Sequence, residues 1–248
     1  MTDLQGKHVV ISGGGTGVGA EIARQFAGAG AEVTILGRRE APLAEQGLPY
    51  EICDVTDRAA VSRAIDAARA ARGPVAVAVA NAGAADSTPF QAMEPADLQA
   101  MLDVNVLGVF NLWHECLPDM KEAGWGRLMA VASTAALKGY AYVAGYCAAK
   151  HAVLGLTRSL AVELGRTGVT VNAICPGFIE TPLLDRSIAN IVDKTGMSEA
   201  DAAKSLKSGN PQKRFIQVDE VAGAALWLTS EAARSVNGQG LGLTGGEI

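Results

Sequence analysis

Short, nearly unbroken apolar runs alternate along this chain with Ala-rich stretches whose apolar positions recur at helical spacing. The runs fall at 8–12, 32–36, 50–53, 75–79, 127–131, 168–172 and 240–244. Continuous apolar character over so short a span suits strands covered on both faces, as in a parallel sheet. The helical stretches fall at 20–29, 58–72, 98–121, 147–166 and 220–228. Alternation of this kind predicts right-handed crossovers and an α/β, Rossmann-like, doubly wound parallel sheet of seven strands. The segment 182–215 breaks the rhythm. It reads as amphipathic helix with no strand before the next helix, and an insertion of that kind often covers a binding site. No linker, repeat or low-complexity stretch divides the sequence, so 1–248 reads as one domain with a lid at about 182–215.

Composition narrows the function. The 248 residues are 49% apolar and 19% charged, which supports a packed core rather than a disordered chain. Aromatics supply only 5%, so Ala, Val, Leu and Ile must fill that core. A net charge of −5 argues against a nucleic-acid partner, which a basic stripe would mark. No apolar run approaches the ~20 residues of a membrane span. The first residues lack the basic and long apolar regions of a secretion signal, so a cytoplasmic location is expected. Cys53, Cys116, Cys147 and Cys175 are far apart and form no cluster with histidine. Reduced, buried thiols and no metal site are expected.

The first run passes straight into Ser12-Gly13-Gly14-Gly15-Thr16-Gly17-Val18-Gly19 and then into a helix. Glycines permit close approach of a pyrophosphate, and the helix N-terminus offers it free N–H groups. A glycine cluster alone could be a tight turn; its place between the first strand and first helix of a βαβ unit points to a dinucleotide. The second run ends in Gly37-Arg38-Arg39, where an acidic side chain would favour a free ribose hydroxyl. An arginine fork there suits a 2′-phosphate, so NADP is favoured, with NAD the alternative.

Farther along, Tyr146 and Lys150 stand one helical turn apart on one face. A phenol near pKa ~10 is a poor base at neutral pH, and a neighbouring ammonium is expected to lower that value. Tuned so, Tyr146 could give a proton to a carbonyl oxygen or take one from an alcohol. Ser133, at the end of the fifth run, could hydrogen-bond the same oxygen. Tyr140 and Tyr142 compete for the role, but neither has a lysine one turn later. His8, His114 and His151 read as bystanders.

The Gly-x3-Gly-x-Gly spacing, Asn81-Ala82-Gly83 after the fourth strand, Asn105, Ser133, Tyr146-x3-Lys150 and Pro176-Gly177 occur in an order that resembles the short-chain dehydrogenase/reductase family over essentially the whole chain. The resemblance implies a hydride-transferring oxidoreductase with Asn105, Ser133, Tyr146 and Lys150 as its catalytic set. It implies that Lys150 also binds the nicotinamide ribose and that Asn105 holds a water linking Lys150 to a proton relay. It places Gly13, Gly15, Thr16, Gly17, Val18 and Gly19 at the pyrophosphate. Arg38, Asp54 and Val55 would meet the adenosine, Asn81, Ala82 and Gly83 its ribose, and Pro176, Gly177, Ile179 and Thr181 the nicotinamide end.

Residues 163–182 look like those of bacterial 3-oxoacyl thioester and aromatic polyketide ketoreductases. The stretch that follows is similar to hydroxybutyrate and hydroxyacyl-CoA dehydrogenases. The implied substrate is a secondary alcohol or ketone of the 3-hydroxyacyl/3-oxoacyl thioester type, medium or bulky in size, with 3-hydroxybutyrate or another small or cyclic alcohol as the alternative. Its pocket is expected along 134–142 and 178–215, with Leu137, Tyr140 and Phe178 beside Ser133 and Tyr146. Lys138, Arg186, Lys194, Lys204, Lys207, Lys213 and Arg214 are expected to make its mouth basic, which is compatible with a carboxylate or a coenzyme A carrier. Relatives pair the helices corresponding to 98–121 and 147–166, so a homotetramer is expected. A reading from another class is a cofactor-sensing protein without chemistry; the intact Ser133, Tyr146 and Lys150 set speaks against it.

Overall fold

Successive side chains of a strand point to opposite faces, so a strand that is apolar throughout must be covered on both. The computed structural model describes residues 4–248 and bears this out. The strands β1 (His8–Ser12), β2 (Glu32–Gly37), β3 (Tyr50–Ile52), β4 (Val75–Ala80), β5 (Gly126–Val131), β6 (Val169–Pro176) and β7 (Gly240–Leu243) form one sheet in the order β3-β2-β1-β4-β5-β6-β7. All pairs are parallel. The helices are α1 (Gly17–Gly28), α2 (Glu40–Ala44), α3 (Arg58–Arg72), α4 (Pro95–Leu102), α5 (Gly108–Ala123), α6 (Ala144–Glu163), α7 (Pro182–Thr195), α8 (Glu199–Lys207) and α9 (Val218–Leu228). Val10, Ala78, Leu128 and Val171 pack with α3, α5 and α6 on one face. Val9, Ile11, Val77 and Met129 pack with α1 and α9 on the other.

Several boundaries differ from the sequence expectation, each for a local reason. α3 begins where expected because the Asp57 carboxylate caps it, accepting from Ala59 N (2.9 Å) and Ala60 N (3.1 Å). The helix expected at 98–121 starts earlier, at Pro95, behind a reciprocal cap in which Asp97 also accepts the Glu94 N–H at 2.9 Å. β6 continues past Asn172 to Pro176, paired with β5 as far as Ile174 and with β7 from Ala173 onward. The 182–215 segment is two helices, separated at Gly196 in the left-handed region (φ +71°).

The chain leaves β1 toward β2 and β3, then returns to lay β4 on the other side of β1. The connections above these two strands diverge, and that switch point opens a crevice at the carboxyl ends of the strands. Among the described residues no helix is long and apolar enough to cross a membrane. None of their His, Cys, Asp and Glu side chains gather in a metal-holding group. The four cysteines are free and buried.

Candidate active site

Ser12, the last residue of β1, organises the crevice. Its hydroxyl accepts the N–H groups of Asn81 and Ala82, each at 3.1 Å. The Asn81 amide donates in return to the carbonyls of Ser12 (3.1 Å) and Gly13 (3.2 Å). Gly17 turns the chain at φ +55°, and a Cβ on Gly19 would overlap the Gly13 carbonyl, so only glycine lets the helix start against the turn. α1 then begins after an exposed Thr16 with no side-chain cap and no acidic residue in its first turn. Its leading N–H groups and positive dipole end are therefore free for an anion.

Across the crevice Arg38 is exposed just past β2. The Thr56 N–H and hydroxyl, at 2.9 and 2.8 Å from Asp54 Oδ1, hold the Asp54 carboxyl below the usual range, and the Arg38 charge adds to the effect. The Val55 side chain is buried in the core and its carbonyl accepts from the Asn111 amide at 2.8 Å. Val18, in the first turn of α1, turns its side chain into the core on the opposite face of the sheet. On the far side Gly177 N donates to Leu243 O (3.0 Å), Ile179 bridges to Ile216, and the Thr181 methyl would lie 3.4 Å from a Cβ on Gly17.

The proposed reacting side chains come together where β5, α5 and α6 meet. The Ser133 hydroxyl lies near enough to the Tyr146 phenol to act on its pKa, and its Oγ accepts Ala135 N at 3.1 Å. Lys150 Nζ sits 5.6 Å from the Tyr146 ring centroid. Lys150 is buried, and its only hydrogen bond among the described residues runs to Val131 O at 3.0 Å. Burial pushes its pKa down to about 8. A shift of that size is worth roughly 3 kcal/mol between the charged and neutral forms. Burial likewise raises the Tyr146 phenol, and the nearby Ser133 hydroxyl opposes that without reversing it. This corrects the expectation that Lys150 lowers the phenol. Loss of water outweighs an ammonium that is itself desolvated and not in contact with the phenol oxygen.

Between α4 and α5 the helix opens into one π turn, Asp103–Leu107, that carries the buried Asn105. The Asn105 amide donates to Ala84 O (2.9 Å) and Met101 O (3.0 Å), while its Oδ1 is buried without a partner. A Cβ on Gly83 would lie 2.8 Å from that Oδ1 and 3.6 Å from Lys150 Nζ. The missing side chain of Gly83 keeps open the space both atoms face.

The wall beyond Ser133 is more polar and better paired than expected. The Tyr140 hydroxyl donates to Glu247 Oε1 (2.7 Å) and, having one proton, must accept from the Thr134 hydroxyl, also at 2.7 Å. Burial, with the Glu247 carboxylate, holds the Tyr140 phenol protonated. Tyr140 is thus a structural residue, and Tyr142 is exposed. Lys138 Nζ also meets Glu247 Oε1 at 2.7 Å. Phe178 stands edge-on to Tyr140, with 6.4 Å between centroids, and Leu137 packs back into the core. Most of the expected basic mouth is engaged elsewhere: Arg214 with Glu220 (2.6 Å), Lys207 over the Phe215 ring, Lys194 on Ser87 O and Lys213 on Ser208 O. Glu247 carried no sequence signal, because only the fold brings the chain end to Lys138. A separate cavity of about 480 Å³ reaches Gly17 and Thr181, but none of Ser133, Tyr146 and Lys150 lines it.

A parallel sheet with an anion-ready glycine turn at its switch point and a Ser–Tyr–Lys group beside it defines a nucleotide-dependent oxidoreductase. A family model described as enoyl-(acyl carrier protein) reductase matches residues 13–247, and the chain belongs to this family, the short-chain dehydrogenases/reductases that act on CH–OH groups. It is 33% identical to a D-beta-hydroxybutyrate dehydrogenase of Cupriavidus necator, with 99% of each chain covered. It is 33% identical to a putative ketoacyl reductase of Streptomyces coelicolor, covering 99% of this chain and 98% of the relative. Among solved structures it is similar to a variant of actinorhodin polyketide ketoreductase with NADPH, at a TM-score of 0.92 and 32% identity, with 97% of each chain covered.

Burial of the Lys150 charge sets a stability test. Below about pH 8 the folded chain carries the full penalty of that charge, whereas an unfolded lysine keeps its proton to 10.5. The penalty is relieved as pH rises between those values. Lys150→Met is expected to have a Tm at or above wild type at pH 7, with the gap shrinking as pH rises past 8. Thermal melts across that range check it; a variant much less stable at pH 7 would refute the assignment.

Proposed function

We propose that the protein interconverts a secondary alcohol and a ketone of the 3-hydroxyacyl/3-oxoacyl class, with NADP as hydride carrier and Tyr146 as proton carrier. The placement of the buried Lys150 ammonium 5.6 Å from the Tyr146 ring, with the Ser133 hydroxyl near the phenol, carries this reading, because it sets two hydroxyl donors beside one buried charge. The residues present fit a bound dinucleotide: the uncapped N-terminus of α1 suits its pyrophosphate, Asp54 its adenosine, and Arg38 a 2′-phosphate. When bound, the reduced nicotinamide supplies the hydride. Ser133 and Tyr146 orient the carbonyl oxygen and stabilise the charge that develops on it. Tyr146 then gives up its proton. Lys150 stabilises the resulting phenolate, and the partnerless Asn105 Oδ1 beside Lys150 Nζ supports a water-linked route for proton return. Alcohol oxidation runs these steps backward and needs a deprotonated Tyr146. Burial alone disfavours that form, so oxidation should gain rate as pH rises.

Residues 182–215 act as the lid, an assignment supported by the Lys194 contact with Ser87 O at 3.0 Å. Free, buried cysteines support a cytoplasmic location. Exposed Arg186 and Lys204 are compatible with a thioester carrier outside the pocket. The outer faces of α5 and α6 support a homotetramer: Phe110, Leu107 and Val162 are exposed, and Ala148, Ala152 and Gly155 leave room for a close helix approach.

Tyr146→Phe keeps the ring and removes the proton carrier. Turnover in a chemistry-limited assay is expected to fall by at least ~10²-fold with NADPH affinity little changed. Near-normal turnover would exclude the role. Arg38→Ala is expected to lower kcat/KM for NADPH by roughly one order of magnitude or more while leaving NADH within a few-fold. A wild type that prefers NADH would overturn the NADP assignment. Light scattering at micromolar concentration is expected to give four times the 25.5 kDa chain mass, and a stable monomer would refute the assembly.

A further inference from the structure

One charged group on the pocket wall has no task in the reaction. Lys138 and Tyr140 both converge on Glu247 Oε1, each at 2.7 Å. The Glu247 side chain is only 7% exposed. It threads between two glycines. A Cβ on Gly209 would lie 3.2 Å from Oε1, and one on Gly177 3.5 Å from Oε2. Gly177 follows β6 beside the reacting groups, and Gly209 follows α8. The chain end is fixed there by Gly245, at φ +61°, whose Cβ would overlap the buried Asn210 side chain. The segment thus delivers a buried carboxylate to Lys138, five residues after Ser133.

We propose that Glu247 is a specificity-determining residue that neutralises Lys138 on the carbonyl-pocket wall, so that the enzyme takes uncharged carbonyl compounds, such as esters, thioesters and cyclic ketones, in preference to free carboxylates. The proposal rests on Ser133, Tyr146 and Lys150 being the reacting set. A substrate carboxylate beside Ser133 meets the Lys138 ammonium only together with the Glu247 carboxylate in contact with it. Attraction and repulsion nearly cancel, while the carboxylate still loses its water. An ester or ketone oxygen pays no such desolvation and can still accept a hydrogen bond from Lys138 Nζ. Selection then comes from a disfavoured competitor as much as from a favoured substrate.

The test uses two matched pairs with NADPH: acetoacetate and methyl acetoacetate, then 2-oxocyclohexanecarboxylate and its ethyl ester. Wild type is expected to favour the ester of each pair by roughly tenfold or more in kcat/KM. Glu247→Gln keeps the size and an acceptor for Tyr140 but uncovers the Lys138 charge. The acids are expected to gain about tenfold, mainly through KM, with the esters within about threefold. Lys138→Met leaves the Glu247 carboxylate with its Tyr140 hydrogen bond but no cation, and the acids are expected to fall further. Wild-type preference for the acids overturns the proposal alone. So does a parallel change of acid and ester in both variants, which is the mark of a merely structural latch. Turnover of none of the four by an enzyme that binds NADPH overturns the carbonyl reading and this proposal together.

Discussion

The clasp between Ser12 and Asn81 is the contact on which the site depends. A doubly wound sheet is weakest in covalent continuity at its switch point, where β1 and β4 are neighbours in space but remote in sequence. Four hydrogen bonds cross that point, two into the Ser12 hydroxyl and two out of the Asn81 amide. Each is worth about 1 kcal/mol net, so their importance is geometric more than energetic. They fix the glycine turn on one side and the 81–84 segment on the other. That segment then reaches the reacting groups directly. Ala84 O receives the Asn105 amide, and Gly83 opens onto Lys150 Nζ. The glycine turn and the Asn105–Lys150 pair are thus registered to one another through the Ser12 hydroxyl and the Asn81 amide.

Stability is given up where chemistry is gained. Lys150 carries a desolvated charge on one carbonyl, Asn105 leaves a buried acceptor unmet, and the helix holding it opens into a π turn. Each departs from what packing alone would choose, and the three lie within one contact of each other. The rest of the core is conventional by comparison, with alternating Val, Ile, Leu and Ala on two faces. Such a core can carry a costly site because the two draw on different residues.

Much of this was legible in the sequence, for reasons that are local. Strands such as β4 are apolar on every residue, which only a doubly covered sheet explains. Tyr146 and Lys150 share a face because helical spacing puts them there. What escaped depends on tertiary context. The π turn has no compositional mark. The burial of the Val55 side chain against Gly108 of α5 is set by packing that spacing does not report. The direction of the Tyr146 shift turns on burial, which spacing does not report. The basic residues at 138 and 207–214 looked like a mouth for acids because their carboxylate and aromatic partners were invisible along the chain.

Those partners change the electrostatic reading of the whole pocket. Lys138 is cancelled by Glu247 and Arg214 by Glu220, whereas Lys150 is paired with no carboxylate among the described residues. In the proposed reaction one buried positive charge, that of Lys150, is therefore left uncompensated near the carbonyl oxygen. A charge so placed interacts weakly with a neutral carbonyl and strongly with the oxyanion and phenolate that form as hydride arrives. A substrate carboxylate in the same pocket would claim that stabilisation in the ground state and weaken the distinction. Neutralising the wall and leaving Lys150 bare are, on this view, two parts of one arrangement, in which the negative charge best accommodated is the one the reaction creates.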